Sequence, residues 1–162
     1  MITGHIFLCI RFSTHTSYLC LMADVHEPEI RSYNMSRIKG KNTKPELIVR
    51  KFLFANGFRY RLHDKKLPGK PDIILKKYNT VIFVNGCFWH GHERCKYFRL
   101  PSTNPEWWEK KINDTKERDR KYHDKLIKDG WNVIVLWECQ LKKNTAESTL
   151  KSLLETLTNN KV

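Results

Sequence analysis

An α/β domain built on one mixed central sheet flanked by helices is the fold class this sequence predicts, and three observations carry the prediction. Three short runs, Asp72-Ile73-Ile74-Leu75, Val81-Ile82-Phe83-Val84 and Trp131 to Trp137, have the length and the β-branched content of buried strands. Stretches of helical character lie before, between and after them. The chain has 162 residues, enough for one domain with a real core and little beyond it. Helix, two or three strands, loop, helix, strand, helix is an order that suits helices packed on a sheet.

The first helix opens at Thr43-Lys44-Pro45-Glu46. Thr43 is a good N-cap, Glu46 stands three residues on as a capping box requires, and Pro45 is tolerated in a first turn. Leu47, Ile48, Phe52, Phe54 and Ala55 supply its apolar positions, and Asn56-Gly57 stops it. Phe58 to Leu62 alternates as a strand does, and Leu67-Pro68-Gly69-Lys70-Pro71 is turn material. Lys76 to Thr80 reads as a hairpin connection between the next two strands. A long helix starts at Asn104-Pro105-Glu106 and runs to Gly130. Trp108, Ile112, Thr115, Asp119, Tyr122 and Leu126 lie along one face of it. A last amphipathic helix covers about Ala146 to Leu157.

Residues 1–21 stand apart. Ile6 to Ile10 is apolar, but Arg11 interrupts it and no basic segment precedes it, unlike a signal peptide. Met22 reads like a second start, so the expectation is a dispensable extension over 1–21 and a working domain over 22–162. No apolar stretch is long enough to span a bilayer. Five cysteines, an odd count, argue against a secreted disulfide framework and for a reducing compartment such as the cytoplasm.

The formal net charge is +13 and it is concentrated. Arg31 to Lys70 holds twelve Lys or Arg against Glu46 and Asp64. A basic segment of that density, with aromatics close by, points to a nucleic-acid partner rather than to solubility alone.

The chemistry gathers between Gly86 and Cys95, directly after a strand. Cys87, His92 and Cys95 are spaced C-x4-H-x2-C, and Cys139 follows the last strand. Thiolate and imidazole are the preferred ligands of zinc, and four protein ligands make a structural site. His90 then points elsewhere and is free as a base near neutral pH. Asp72, at the junction of a turn and a strand, has the position of a carboxylate that binds Mg2+ against a scissile phosphate. Nucleases of this architecture commonly follow Pro-Asp with D/E-x-K on the next strand, whereas Phe83-Val84-Asn85 stands there. His90 is the substitute for the missing base.

Met35 to Thr43, Leu67 to Asp72, Val81 to His92 and Val135 to Cys139 together resemble the very short patch repair endonucleases, bacterial DNA mismatch endonucleases. The resemblance spans about Met22 to Leu141, and its most specific element is Gly86-Cys87-Phe88-Trp89-His90. It implies a restriction-endonuclease-like fold that nicks DNA beside the thymine of a T:G mismatch, the product of 5-methylcytosine deamination. It implies that Asp72 and the Val84 carbonyl hold Mg2+, that His90 activates water, and that Glu46 assists. It places structural zinc on Cys87, His92, Cys95 and Cys139, and pushes Phe88, Trp89 and Trp108 into the duplex. Arg37, Lys39 and Lys41 would contact phosphates or the minor groove. Asn85 stands where some members carry a second active-site histidine, and the loop from His92 to Cys95 is one residue longer than in some. The partners implied are double-stranded DNA bearing the mismatch and mismatch-repair proteins, the enzyme acting as a cytoplasmic monomer at the nucleoid.

Each assignment has a plainer competitor. Glu46 is already explained by the capping box, and large aromatics mostly fill cores. Two other functions stay open on the residues alone: a nuclease of the same fold that cuts matched DNA, and a zinc-stapled DNA-binding module without catalysis.

Overall fold

The computed structural model describes residues 28–38 and 40–159; the extension expected over 1–21, with Cys9 and Cys20, and the DNA-contact candidate Lys39 lie outside the described residues. Among the described residues, four α-helices and four strands follow in the order α1 (Pro28–Ser36), α2 (Lys44–Ala55), β1 (Arg61–Leu62), β2 (Ile73–Leu75), β3 (Thr80–Asn85), α3 (Pro105–Lys128), β4 (Asn132–Trp137) and α4 (Ala146–Asn159). They form one sheet of order β1-β2-β3-β4. β1, β2 and β3 run antiparallel in turn, and β4 is parallel to β3 with Val84 opposite Leu136. The sheet is therefore mixed, as expected.

Alternate side chains of the central strands feed two cores. Ile73, Leu75 and Ile82 face α2 and α4, where Val49, Leu53, Leu150, Leu153 and Leu157 pack on them. Ile74, Val81 and Phe83 face the other way, onto Leu126 of α3. Strands covered on both faces read as continuous apolar runs, which is why β2 and β3 were legible without alternation. Among the described residues, no helix is long and apolar enough to cross a membrane.

Three local features differ from expectation. α1 carries no strong apolar stripe and went unread, its Ile30, Tyr33 and Met35 being exposed. The alternating stretch Phe58 to Leu62 pairs only at Arg61 and Leu62. α2 buries Glu46, Val49, Arg50 and Leu53, a stripe at helical spacing, and turns Leu47 and Phe54 outward. A glutamate and an arginine thus occupy inward positions that an apolar pattern assigns to leucine and phenylalanine; Phe54 is covered instead by the Arg59 guanidinium, 4.4 Å from its ring.

Two glycines hold the loops that reach the sheet's edge. Gly69 (φ +70) lets the turn before β2 lie against Phe83 and Tyr122, and Gly91 (φ +59) lets the loop after β3 lie on α3. A Cβ at Gly91 would come within 2.4 Å of Lys116 and 2.6 Å of Ile112. Any larger residue there would lift His90 and His92 off the helix.

Candidate active site and metal centre

A cleft of about 720 Å³ opens where β2 begins and β3 ends. Glu46, His63, Asp72, Val84, Asn85, Trp89 and His90 all line it, so residues separated by more than forty positions in sequence meet in one wall. Lys41 lines it too.

Asp72 is held by backbone pairing on both sides. Its N–H donates to the Ile82 carbonyl, and its Oδ2 accepts the Val84 N–H at 2.8 Å. In an extended strand the N–H and C=O of one residue point to the same edge, so the Val84 carbonyl is turned toward Asp72 as well. Burial pushes the Asp72 carboxyl above the usual value, and the Glu46 charge adds to the rise. The Val84 N–H, His63 and Arg50 oppose it. A carboxylate that burial makes reluctant to ionise, with a carbonyl on the same edge, suits a hard divalent cation with oxygen preferences.

Glu46 completes the expected capping box and does more. Oε1 accepts from the Thr43 N–H and hydroxyl, and Oε2 accepts from the Asn42 N–H and from Arg50 Nη2 at 2.7 Å. Both partners of the Glu46–Arg50 pair are buried, at 2% and 6% exposure. Removing one member of such a pair strands a buried charge, at a cost of about 3–5 kcal/mol. Arg50 also donates to Asn42 Oδ1 at 2.6 Å and reaches His63 Nε2 at 3.1 Å. Four hydrogen bonds therefore hold the Glu46 carboxylate in place, and its charge is felt in the cleft.

His90 closes the other side. Its Nδ1 lies 2.5 Å from Oδ2 of Asp119 on α3. Burial raises the Asp119 carboxyl, but the His90 contact and the Arg118 guanidinium outweigh it, and its pKa lies below the ordinary value. An ionised Asp119 can only accept, so the imidazole proton sits on Nδ1 and Nε2 is left as an acceptor. That is the orientation a general base requires. Asn85 is buried at the end of β3 and cannot titrate.

The four expected zinc ligands converge. The ligand atoms of Cys87, His92, Cys95 and Cys139 all lie within 4.8 Å of one another, and His92 Nδ1 is 3.5 Å from Cys139 Sγ. A tetrahedral zinc with bonds of about 2.3 Å to sulfur has ligand–ligand edges of about 3.8 Å. His92 is fixed by stacking flat on Trp137, with 4.1 Å between ring centroids and 2° between planes. Without a cation, burial pushes the Cys87 thiol up to about 12 and raises Cys139, while the Tyr97 backbone N–H draws Cys95 down. Three thiols around one imidazole are a soft donor set, so the residues fit zinc. His90 stands outside the cluster, as the spacing implied.

The aromatics form one chain of edge contacts. Phe88 meets Trp89 at 5.1 Å and Trp108 at 5.3 Å, and Trp108 meets Trp107 at 4.8 Å. Trp108 is 8% exposed and Trp107 is 54% exposed. Phe88 and Trp89 are half-buried between them and the cleft. Arg37 and Lys41 are exposed, Arg37 lying over the Tyr33 ring.

Sequence reasoning missed Asp119, Arg50 and His63. Asp119 was placed on the inward face of its helix, and a carboxylate on an apolar face was the signal that it had a partner. Arg50 falls at i+4 from Glu46, a spacing that pairs charges on one helix face. His63 carried no such signal.

At the start of β2 and the end of β3 one cleft thus gathers carboxylates, histidines and basic side chains, an arrangement that suits a nuclease. The family described as DNA mismatch endonuclease Vsr matches residues 23–96. The Type II nicking enzyme V.NmeAIP of Neisseria meningitidis is 51% identical over 121 residues, covering 75% of this chain and 86% of that one. The Type II nicking enzyme V.XorIIP of Xanthomonas oryzae is 42% identical, over 83% of this chain and 98% of that one. The DNA mismatch endonuclease Vsr of Escherichia coli is 41% identical, over 83% and 87%. The chain belongs to the DNA mismatch endonuclease Vsr family, and it is an endonuclease.

Proposed function

We propose that this endonuclease is Mg2+-dependent and nicks one strand of duplex DNA beside the thymine of a T:G mismatch. The observation that carries the reading is the meeting of Asp72 and the Asp119-backed His90 in one cleft that Trp89 also lines. Asp72 and the Val84 carbonyl would hold the cation, with the Glu46 charge nearby. A bound Mg2+ supplies positive charge against the phosphate oxygens. His90 takes the proton of the attacking water at Nε2, and Asp119 stabilises the imidazolium that results. The water oxygen forms its bond to phosphorus as the bond to the leaving oxygen breaks. Asn85 serves as a hydrogen-bonding wall to the substrate, since its amide moves no proton.

The Cys3His cluster holds structural zinc that ties the loop carrying Phe88, Trp89 and His90 to the end of β4. Phe88 and Trp89 enter the base stack from that loop, with Trp108 behind them as their support. Unstacking costs a few kcal/mol and costs least at a step a mismatch has already weakened, a physical basis for preferring T:G. Arg37 and Lys41 contact phosphates. A carboxylate at the start of one strand, bonded to the next, supports a restriction-endonuclease-like core.

The test uses Mg2+ and end-labelled duplexes that differ only by T:G, T:A or C:G at one position, with Asp72→Ala alongside. Nicking of the T strand of the mismatch, absent in the variant, is expected. Equal cutting of all three duplexes would remove the mismatch preference and leave a nuclease for matched DNA. Binding without cutting would leave a DNA-binding module.

A further inference from the structure

His63 lines the same cleft as Asp72, although it belongs to neither the metal cluster nor the His90 pair. It follows β1 directly and holds φ +48, a left-handed conformation that few side chains adopt. Its Nε2 lies 3.1 Å from Nη2 of Arg50. A guanidinium only donates, so Nε2 accepts. The proton of the ring then sits on Nδ1. Arg50 is itself immobilised by Glu46 and Asn42, and it is 6% exposed. A buried arginine with two anchors thus fixes one tautomer of a cleft histidine, and it presents an N–H on the ring's other nitrogen.

An N–H donor in a cleft that takes DNA has an obvious acceptor, the backbone phosphate. We propose that His63 is a substrate-contacting residue whose Nδ1–H donates to a non-bridging oxygen of a DNA phosphate beside the nick, and that Arg50 is the positioning residue that sets its tautomer. The proposal rests on the reading of the cleft as the nicking site. It adds a contact that is made equally before and during the reaction, so it belongs to substrate affinity rather than to the chemical step.

The amide nitrogen of an asparagine falls near the place of Nδ1 of a histidine, and that of a glutamine near Nε2. His63→Asn, His63→Gln and His63→Ala therefore separate the two nitrogens, and asparagine also accepts the left-handed backbone. On the T:G duplex with Mg2+, His63→Ala is expected to raise KM about 10- to 100-fold with kcat unchanged, as for a hydrogen bond to a charged group. His63→Asn restores most of the loss and His63→Gln does not. Methylphosphonates placed singly at the phosphates around the nick identify one position where His63→Ala adds no further loss. Nitrogen NMR of the wild-type imidazole reports the proton on Nδ1, and Arg50→Lys, which keeps a charge for Glu46 with a single nitrogen in place of Nη1 and Nη2, releases that preference.

Equal behaviour of the Asn and Gln variants, additive losses at every methylphosphonate, or a proton found on Nε2 would each overturn the inference. Wild-type kinetics in all three His63 variants, with Asp72→Ala inactive, would do the same and leave the cleft reading intact. Full activity in Asp72→Ala would overturn the cleft reading and this inference with it.

Discussion

The Cys3His cluster and the cleft share the loop from Gly86 to Cys95, yet they are assembled by opposite rules. Three of the cluster's four side chains come from nine consecutive residues, and of the four only Cys87 is fully buried. Their ligand atoms lie close enough for one metal ion to tie the loop to the end of β4. The cleft draws on α2, the segment after β1, the start of β2, the end of β3 and α3. Sheet pairing and buried polar contacts bring these together. On the proposed reading, one region is shaped by what it binds, and the other is shaped in advance of binding.

The largest effect should come from stripping the cluster. Structural zinc contributes about 10–16 kcal/mol of apparent binding free energy in small zinc-finger peptides, and on the order of a third of that here would lower the melting temperature by about 10 °C. Elemental analysis should find one zinc per chain, and a strong chelator should remove it together with that stability. A melting temperature indifferent to chelation would reduce the cluster to packed thiols and erase the contrast between the two regions.

Asp72→Ala should do the reverse. Nicking falls by about 10³-fold or more, since the cation's stabilisation of phosphate charge is worth several kcal/mol. The melting temperature and the affinity for the T:G duplex stay near wild type. Nicking left within tenfold of wild type would move the catalytic centre elsewhere.

His90→Ala should cost about 10²- to 10⁴-fold in kcat, the range for a lost general base. Asp119→Asn alone should lower kcat at least about tenfold and never beyond the His90→Ala loss, because it acts only through the imidazole. In the His90→Ala background Asp119→Asn should then cost nothing further, as residues that work as a unit are not additive. Additive losses would mean that Asp119 touches the reaction independently.

How much of this was legible follows the same division. Cys87, His92 and Cys95 were readable because metal geometry is imposed on neighbours in sequence, and Cys139 because it ends an unmistakable strand. That Asp72 and His90 line one cleft was readable from their places beside strand ends. Asp119 was on the page as a member of a helical face, but nothing in a periodic pattern says that a carboxylate 29 residues away meets His90. Arg50 and His63 depend on how α2 seats against the segment after β1, which is tertiary packing. The apolar pattern of α2 was misleading for the same reason: Glu46 and Arg50 satisfy each other, so burying them costs less than burying either alone. The sheet was legible in its buried strands and illegible at β1, where two residues of pairing leave almost no signal.

The smallest effect bears on what it takes to shape a site in advance. The folded-state pKa of Asp72 is raised, chiefly by burial. The folded protein therefore holds the Asp72 proton to higher pH than the unfolded chain does. Stability then falls as pH climbs from the unfolded carboxyl value through the folded one. Asp72→Asn keeps an oxygen for the Val84 N–H and removes the charge. In buffer without Mg2+ the variant should melt above wild type at pH 7, and the gain should shrink as the buffer is taken down to acid pH, where wild-type Asp72 is protonated. Added Mg2+ should raise the wild type and leave the variant where it was, because a ligand stabilises only the state that binds it. A variant that melts below wild type at pH 7 would mean that the ionised Asp72 stabilises the fold, and the cleft would then be no more prepared for its cation than the cluster is.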